Sequence, residues 1–200
     1  MLSPMPHPEH MSAKTVFLDK DGTLIKDVPY NADPEKVLFE TGVFEGLASL
    51  QAAGYKLVII SNQPGIAMGL FSQKQLDDLI TYFYQIFELN GLTLSGFYFC
   101  PHRAAKNGSL CKCRKPEPGL LLQAAAELDI DLRQSWMIGD ILNDVEAGNR
   151  SGCRTVLINN GNETEWLSGP YRTPDCLAKD FGEAVNFIHS KIKTSYVQAC

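Results

Sequence analysis

The chain has 200 residues, a formal net charge of -5 and 44% hydrophobic residues, which is the composition of one ordinary globular domain. The acidic balance argues against general nucleic-acid binding, which wants a basic face, and means that any anionic ligand must be drawn in by local positive charge. No apolar run approaches the ~20 residues of a membrane span, so neither nucleic acid nor a membrane is an expected partner, and a cytoplasmic monomer is expected.

Residues 1–13 carry Pro4, Pro6 and Pro8 with no basic start and no apolar stretch, and are expected to be a disordered tail rather than a secretory signal. A single domain is expected over 14–193, followed by a short tail at 194–200. Thr15-Val16-Phe17-Leu18 is a strand-length apolar run ending in a polar, glycine-containing turn, and runs at 56–61, 94–100, 135–138 and 154–158 are similarly β-branched or aromatic. Helical spacing fills the intervals. It covers 43–53, with Val43, Leu47 and Leu50 on one face, and then 72–89, with Ser72 as a cap and apolar residues at Leu76, Leu79, Ile80, Phe83, Ile86 and Phe87. Further helices are expected at 118–128, opening on Pro118 where a first turn tolerates proline, and at 143–150 and 181–192. Residues 159–173 read as a long polar loop. Alternating strands and helices imply an α/β fold, with a parallel sheet covered by helices on both faces. In such sheets ligands bind at the carboxyl ends of the strands, and Asp19, Ser61, Asn62 and Asp140 all lie at such ends.

Asp19-Lys20-Asp21-Gly22-Thr23 places two carboxylates at i and i+2, which repel unless they share a proton or a cation. Magnesium, which takes carboxylate, carbonyl and water oxygens, is one solution; a solvated acidic turn is the other. Asp140, with Asn143 and Asp144, would bring more acid to the same edge, although helix N-capping by Asp140 or Asn143 is a competing use. Arg103, Lys106, Lys112, Arg114 and Lys115, with no acid between them, make a local positive patch. Cys100-Pro-His102 and Cys111-Lys-Cys113 offer four soft or borderline ligands in two tight pairs, which suits a closed, structural zinc site better than disulfides. The alternative is free thiols and a surface histidine. A zinc clip would hold Arg114 and Lys115 against the strand ends.

DKDGT at 19–23, SNQ at 61–63, Lys115 and GDILND at 139–144 resemble, in order, the four motifs of the haloacid dehalogenase-like (HAD) phosphatases, over about residues 15–190. The resemblance implies a Rossmann-like HAD fold and magnesium-dependent phosphatase chemistry through a phospho-aspartate. Asp19 would be the nucleophile and Asp21 the general acid/base. Ser61 would hydrogen-bond the transferring phosphoryl group and Lys115 would neutralise it. Asp140 would join Asp19 and the Asp21 carbonyl on magnesium. CPH at 100–102 with CKCRKP at 111–116 resembles the zinc-loop subgroup, which includes phosphatases of heptose bisphosphate and of histidinol phosphate. SNQPGIAMG at 61–69 and CRKPEPGLLL at 113–122 favour the heptose bisphosphate members. The implied substrate is then a sugar phosphate, held by Asp27, Tyr30, Asn62, Gln63 and Arg114. Val28-Pro29 stands where the family usually has histidine-glycine, and Pro64 where serine is common. The motif spacing leaves no room for a separate cap domain. A receiver-like phospho-acceptor module is the competing reading from another class, but receivers carry the acceptor after a middle strand and have no zinc loop. A non-catalytic zinc-binding module would leave the two acid motifs unexplained.

Overall fold

The computed structural model describes residues 12–104 and 111–197. Among them, six strands form one all-parallel sheet: β1 (Thr15–Leu18), β2 (Lys56–Asn62), β3 (Leu94–Cys100), β4 (Trp136–Gly139), β5 (Arg154–Ile158) and β6 (Cys176–Ala178). The order is β3-β2-β1-β4-β5-β6. From β1 the chain builds outward through β2 and β3, then crosses to β4 on the other side of β1. The order therefore reverses between β1 and β4, which is where such sheets open a crevice for ligands.

The helices are α1 (Val43–Ala52), α2 (Gly65–Met68), α3 (Gln73–Leu89), α4 (Gly119–Leu128), α5 (Leu142–Ser151) and α6 (Phe181–Val197). Side chains alternate across each strand. Val16, Leu18, Leu57 and Ile59 face Leu47, Phe83 and Ile188 of α1, α3 and α6. Phe17, Val58 and Ile60 face Leu120, Leu121 and Ala147 of α4 and α5 on the opposite side. In α3, Leu76, Leu79, Phe83 and Phe87 recur at helical spacing and are all buried. Its start is fixed by a reciprocal cap: Ser72 Oγ accepts from Gln75 N at 3.2 Å and Gln75 Oε1 accepts from Ser72 N at 2.9 Å.

Several boundaries differ from the sequence reading. Ala13, expected in the tail, is tied to the domain: its N–H donates to Asp129 O at 2.8 Å and its carbonyl accepts from Asp131 N at 2.9 Å. Residues 1–11 and 198–200 lie outside the described residues, as does Lys106. Pro118 precedes α4 as its N-cap. α6 runs to Val197, past the expected end of the domain. Neither Asp140 nor Asn143 caps α5; Ile141 is the N-cap, and its N–H donates to Asp144 Oδ2 at 3.3 Å. α2 and β6 had no counterpart in the sequence reading. No inserted domain separates β1 from β2, or β2 from β3, among the described residues. No helix among them is long and apolar enough to cross a membrane.

Candidate active site

The turn after β1 is closed by its own main chain. Leu24 N and Ile25 N both donate to Lys20 O, at 3.0 and 3.1 Å, and Gly22 N donates to Ile25 O at 2.8 Å. Gly22 has φ +81°, and a Cβ there would stand 2.1 Å from Asp140 Oδ2, so only glycine fits. Asp19 extends the pairing of β1 with β4, its N–H donating to Ile138 O at 2.9 Å. Asp140 follows β4 directly. Its Oδ1 accepts from Thr23 Oγ1 at 3.3 Å and its Oδ2 from Asn162 Nδ2 at 2.7 Å.

Carboxylate oxygens of Asp19, Asp140 and Asp144 lie within 4.8 Å of one another, and all three residues are buried. Lys115 reaches into this group: its Nζ pairs with Asp19 Oδ1, lies 2.6 Å from Asp144 Oδ1 and donates to Ile60 O at 2.9 Å. Asn62 grips the Lys115 main chain at both ends, accepting from its N–H at 3.1 Å and donating to its carbonyl at 3.2 Å. Three carboxylates against one ammonium leave excess negative charge. Burial pushes the Asp19 carboxyl well above its ordinary range; Lys115 draws it back, and Asp144 and Asp140 push it up again. Burial, then the Asp144 charge, raises Asp140 to about 7. Burial also works against the Lys115 ammonium, but Asp144 and Asp19 outweigh it and hold its pKa above the usual lysine value. Hard oxygen donors with uncompensated charge are the donor set a divalent cation fits.

A pH dependence follows. Asp140 has a folded-state pKa of about 7 against an ordinary 3.8, so between those values the folded chain binds more protons than the unfolded chain. Stability without added metal should fall as pH rises through this window, by up to about 1.4 kcal/mol per pH unit for one group. Saturating magnesium should replace the proton and flatten the profile. Melting temperatures from pH 5.5 to 8, with and without magnesium chloride, check this; identical profiles would mean that no cation sits among these carboxylates.

Asp21 lies outside the acid trio. Its Oδ1 accepts from Lys20 Nζ at 2.6 Å and its Oδ2 from Gln63 Nε2 at 3.1 Å. The same Gln63 nitrogen donates to Ser61 Oγ at 2.8 Å, which links Asp21 to Ser61 at the end of β2. Asn62 and Gln63, expected on the substrate, thus commit their amides to the protein.

Asp19, Asp21, Lys115 and Asp140 line a cleft of about 250 Å³. Asp27, Tyr30, Gln63 and Pro64 line an adjoining one of about 330 Å³. Asp21, Asp27, Asn62 and Arg114 border both, so the two are continuous. Arg114 Nη1 donates to His102 O at 3.2 Å, which anchors the guanidinium at this junction. Burial, then the Asp21 charge, raises the Asp27 carboxyl. Behind Arg114, the Sγ atoms of Cys100, Cys111 and Cys113 are 3.1–3.6 Å apart, and His102 Nδ1 is 3.4 Å from Cys100 Sγ and 3.2 Å from Cys113 Sγ. A disulfide needs ~2.05 Å, whereas sulfurs ~2.3 Å from a central tetrahedral ion stand roughly 3.7 Å apart, so the group fits one ion.

Some site residues carry roles that their sequence context does not announce. Asp144 is the buried partner of Lys115. The polar loop after β5 closes the site from above: Asn160 Nδ2 donates to Gly22 O at 2.7 Å, while Asn162 holds Asp140. The loop is itself pinned to α5, where Leu142 N donates to Glu163 Oε2 at 2.7 Å. Arg172 donates to Glu146 and to Asn143, each at 2.7 Å. The one signal for this was Asn-Asn-Gly-Asn at a strand end.

Residues 112–184 match the model of a HAD-hydrolase-like family. Over 152 residues the chain is 42% identical to the D-glycero-beta-D-manno-heptose-1,7-bisphosphate 7-phosphatase of Pasteurella multocida, which covers 74% of this chain and 83% of the relative. The protein of the same name from Helicobacter pylori is 38% identical over 178 residues, 88% of this chain and 97% of the relative. Among solved structures, a D,D-heptose 1,7-bisphosphate phosphatase from B. bronchiseptica, complexed with magnesium and phosphate, superposes with a TM-score of 0.77 at 26% identity, covering 89% of this chain and 99% of that one.

Proposed function

The chain belongs to the D-glycero-beta-D-manno-heptose-1,7-bisphosphate 7-phosphatases, which are HAD-like hydrolases, and from that premise we propose that it removes the 7-phosphate of this sugar through an aspartyl-phosphate on Asp19. The observation that carries the mechanism is the buried Lys115 paired to Asp19, with Asp140 alongside.

In this reading Asp19 attacks phosphorus, the bond to the sugar oxygen breaks, and Asp21 gives that oxygen a proton. Asp21 then takes a proton from water, which attacks the acyl phosphate and releases inorganic phosphate. Lys115 and Ser61 stabilise the charge on the equatorial oxygens. Asp19, Asp140 and the Asp21 main-chain carbonyl would hold magnesium, which when bound supplies further neutralisation of the phosphoryl charge. Splitting the reaction this way matters because phosphate monoesters are among the slowest esters to hydrolyse unaided. Phosphate release from the 1,7-bisphosphate, with the 1-phosphate left intact by phosphorus NMR, is the expected result. Faster turnover of histidinol phosphate, or loss of the 1-phosphate, would overturn the substrate assignment.

Arg114, at the junction of the two clefts, is assigned to the distal part of the substrate. A guanidinium binds phosphate bidentately and keeps its charge. Arg114→Ala should lower kcat/KM for the bisphosphate by roughly 1.5–3 kcal/mol, or about 10- to 150-fold. It should leave p-nitrophenyl phosphate, which has no distal phosphate, almost unchanged. Equal losses would place Arg114 on the chemistry or the fold.

Cys100, His102, Cys111 and Cys113 are assigned to one structural zinc. Because zinc binding is also folding energy, Cys111→Ser should cost several kcal/mol, at about 2–4 °C in Tm for each kcal/mol at this size. By loosening Lys115 it should also lower activity. Elemental analysis finding no zinc, against the expected one ion per chain retained after magnesium is chelated, would remove the clip.

A further inference from the structure

We infer that Lys20 is a positioning residue for the acid/base carboxylate of Asp21, and so belongs to the machinery that expels the sugar alcohol. The inference rests on the assignment of Asp21 made above. Lys20 sits between the two aspartates of the turn, and its side chain is 0% exposed. Lysine is almost never fully buried unless its charge is paired. The carboxylate it contacts is that of Asp21, at 2.6 Å. Lys115, by contrast, divides its ammonium between two carboxylates and a carbonyl. A purely packing role for Lys20 would be served as well by a methionine of similar length, without the cost of desolvating an ammonium.

Its geometry suits a precise task. Asp21 Oδ1 faces the ammonium and Oδ2 faces the Gln63 amide, which Ser61 anchors in turn. The carboxylate is therefore gripped from both sides. Both neighbours offer Asp21 donors only, but the one at Oδ1 is a charged ammonium and the one at Oδ2 a neutral amide, so a proton is repelled from Oδ1 and is carried on the lone pair of Oδ2 that Gln63 leaves free. When the bond from phosphorus to the sugar oxygen breaks, the proton passes from Oδ2 to that oxygen. When water later attacks the aspartyl-phosphate, a proton returns to the same atom. Lys20 itself gains and loses nothing.

The test is a leaving-group comparison on kcat/KM, which covers only the steps through phosphorylation of Asp19. Lys20→Met should lower kcat/KM for the heptose bisphosphate, an alkyl phosphate that needs its leaving group protonated, by about 10- to 100-fold, a part of the ~10²–10⁴-fold that general acid catalysis contributes. For p-nitrophenyl phosphate, whose phenolate leaves without a proton, the change should be less than about threefold. In an Asp21→Asn background Lys20→Met should cost nothing further, because the two act as a unit. Equal losses on both substrates, or additive losses in the double variant, would overturn the inference. If Asp21→Asn alone spared the bisphosphate, the assignment of Asp21 would fail instead. Thermal unfolding checks that the variant is folded; if Lys20→Met does not fold, Lys20→Gln carries the same comparison with the same two outcomes.

Discussion

Asp19→Asn should reduce phosphatase turnover by roughly 10⁴-fold or more, the scale on which loss of a covalent nucleophile is felt. It should also leave a protein that is folded and at least as stable as the parent without metal. The first effect follows from chemistry: a carboxylate oxygen can be phosphorylated and then released by water, and an amide cannot do this. The second follows from the surroundings. Burial, together with Asp144 and Asp140, holds the Asp19 carboxyl well above its ordinary pKa, so its ionised form is disfavoured in the folded chain. An isosteric amide removes one of three crowded negative charges. Retention of more than a few per cent of the parental rate would move the nucleophile elsewhere. A large fall in Tm would mean that the Asp19–Lys115 pair is worth more than the repulsion it relieves.

Lys115→Met should have the opposite effect on stability while also damaging activity. Removing one member of a buried ionic group strands the others, at a cost of about 3–5 kcal/mol. Here the stranded groups are Asp19 and Asp144, with Asp140 beside them. The loss should be largest at alkaline pH without metal and should shrink as the carboxylates take up protons or magnesium. Catalysis loses a fixed positive charge aimed at the phosphoryl group, which by analogy with removal of one oxyanion donor costs about 10²–10³ in kcat. Urea unfolding of the two variants side by side at pH 8 separates the cases. Equal stabilities would mean that the charge balance of the trio does not govern the fold.

The strand ends were legible because their chemistry is local. An apolar run followed by Asp19 or Asp140 announces itself, and so do two close pairs of cysteine and histidine. Ser72 could be named as a cap because its partner, Gln75, is three residues away. Asn162 and Asn160 could not be placed, since they meet Asp140 and Gly22 across 22 and 138 residues of chain. The role of Lys20 is hidden for another reason. Between two aspartates a lysine looks like a solvated counter-charge, and only the tertiary fold reveals that it is sealed from water. β6 escaped because it is three residues long, at an edge of the sheet, with half-exposed Leu177 at its centre. Asn62 and Gln63 were placed at the right strand end, but a sequence does not say whether an amide points outward to a ligand or inward to Lys115 and Asp21.

The adjacency of β1 and β4 also bears on how this chain can change over time. Their register pairs Leu18 with Ile138, and Asp19 continues the ladder. Neighbouring strands stand ~4.8 Å apart whatever their side chains, because hydrogen bonds set the distance. The spacing of the two acids that begin just beyond those strands is thus inherited from the backbone and owes little to how α1, α3 or α6 pack. Substitutions in those outer helices are expected to alter how many molecules are folded without altering what each folded molecule does. Genetic drift there registers as a change in dose, and the rate constant of the surviving population stays where it was.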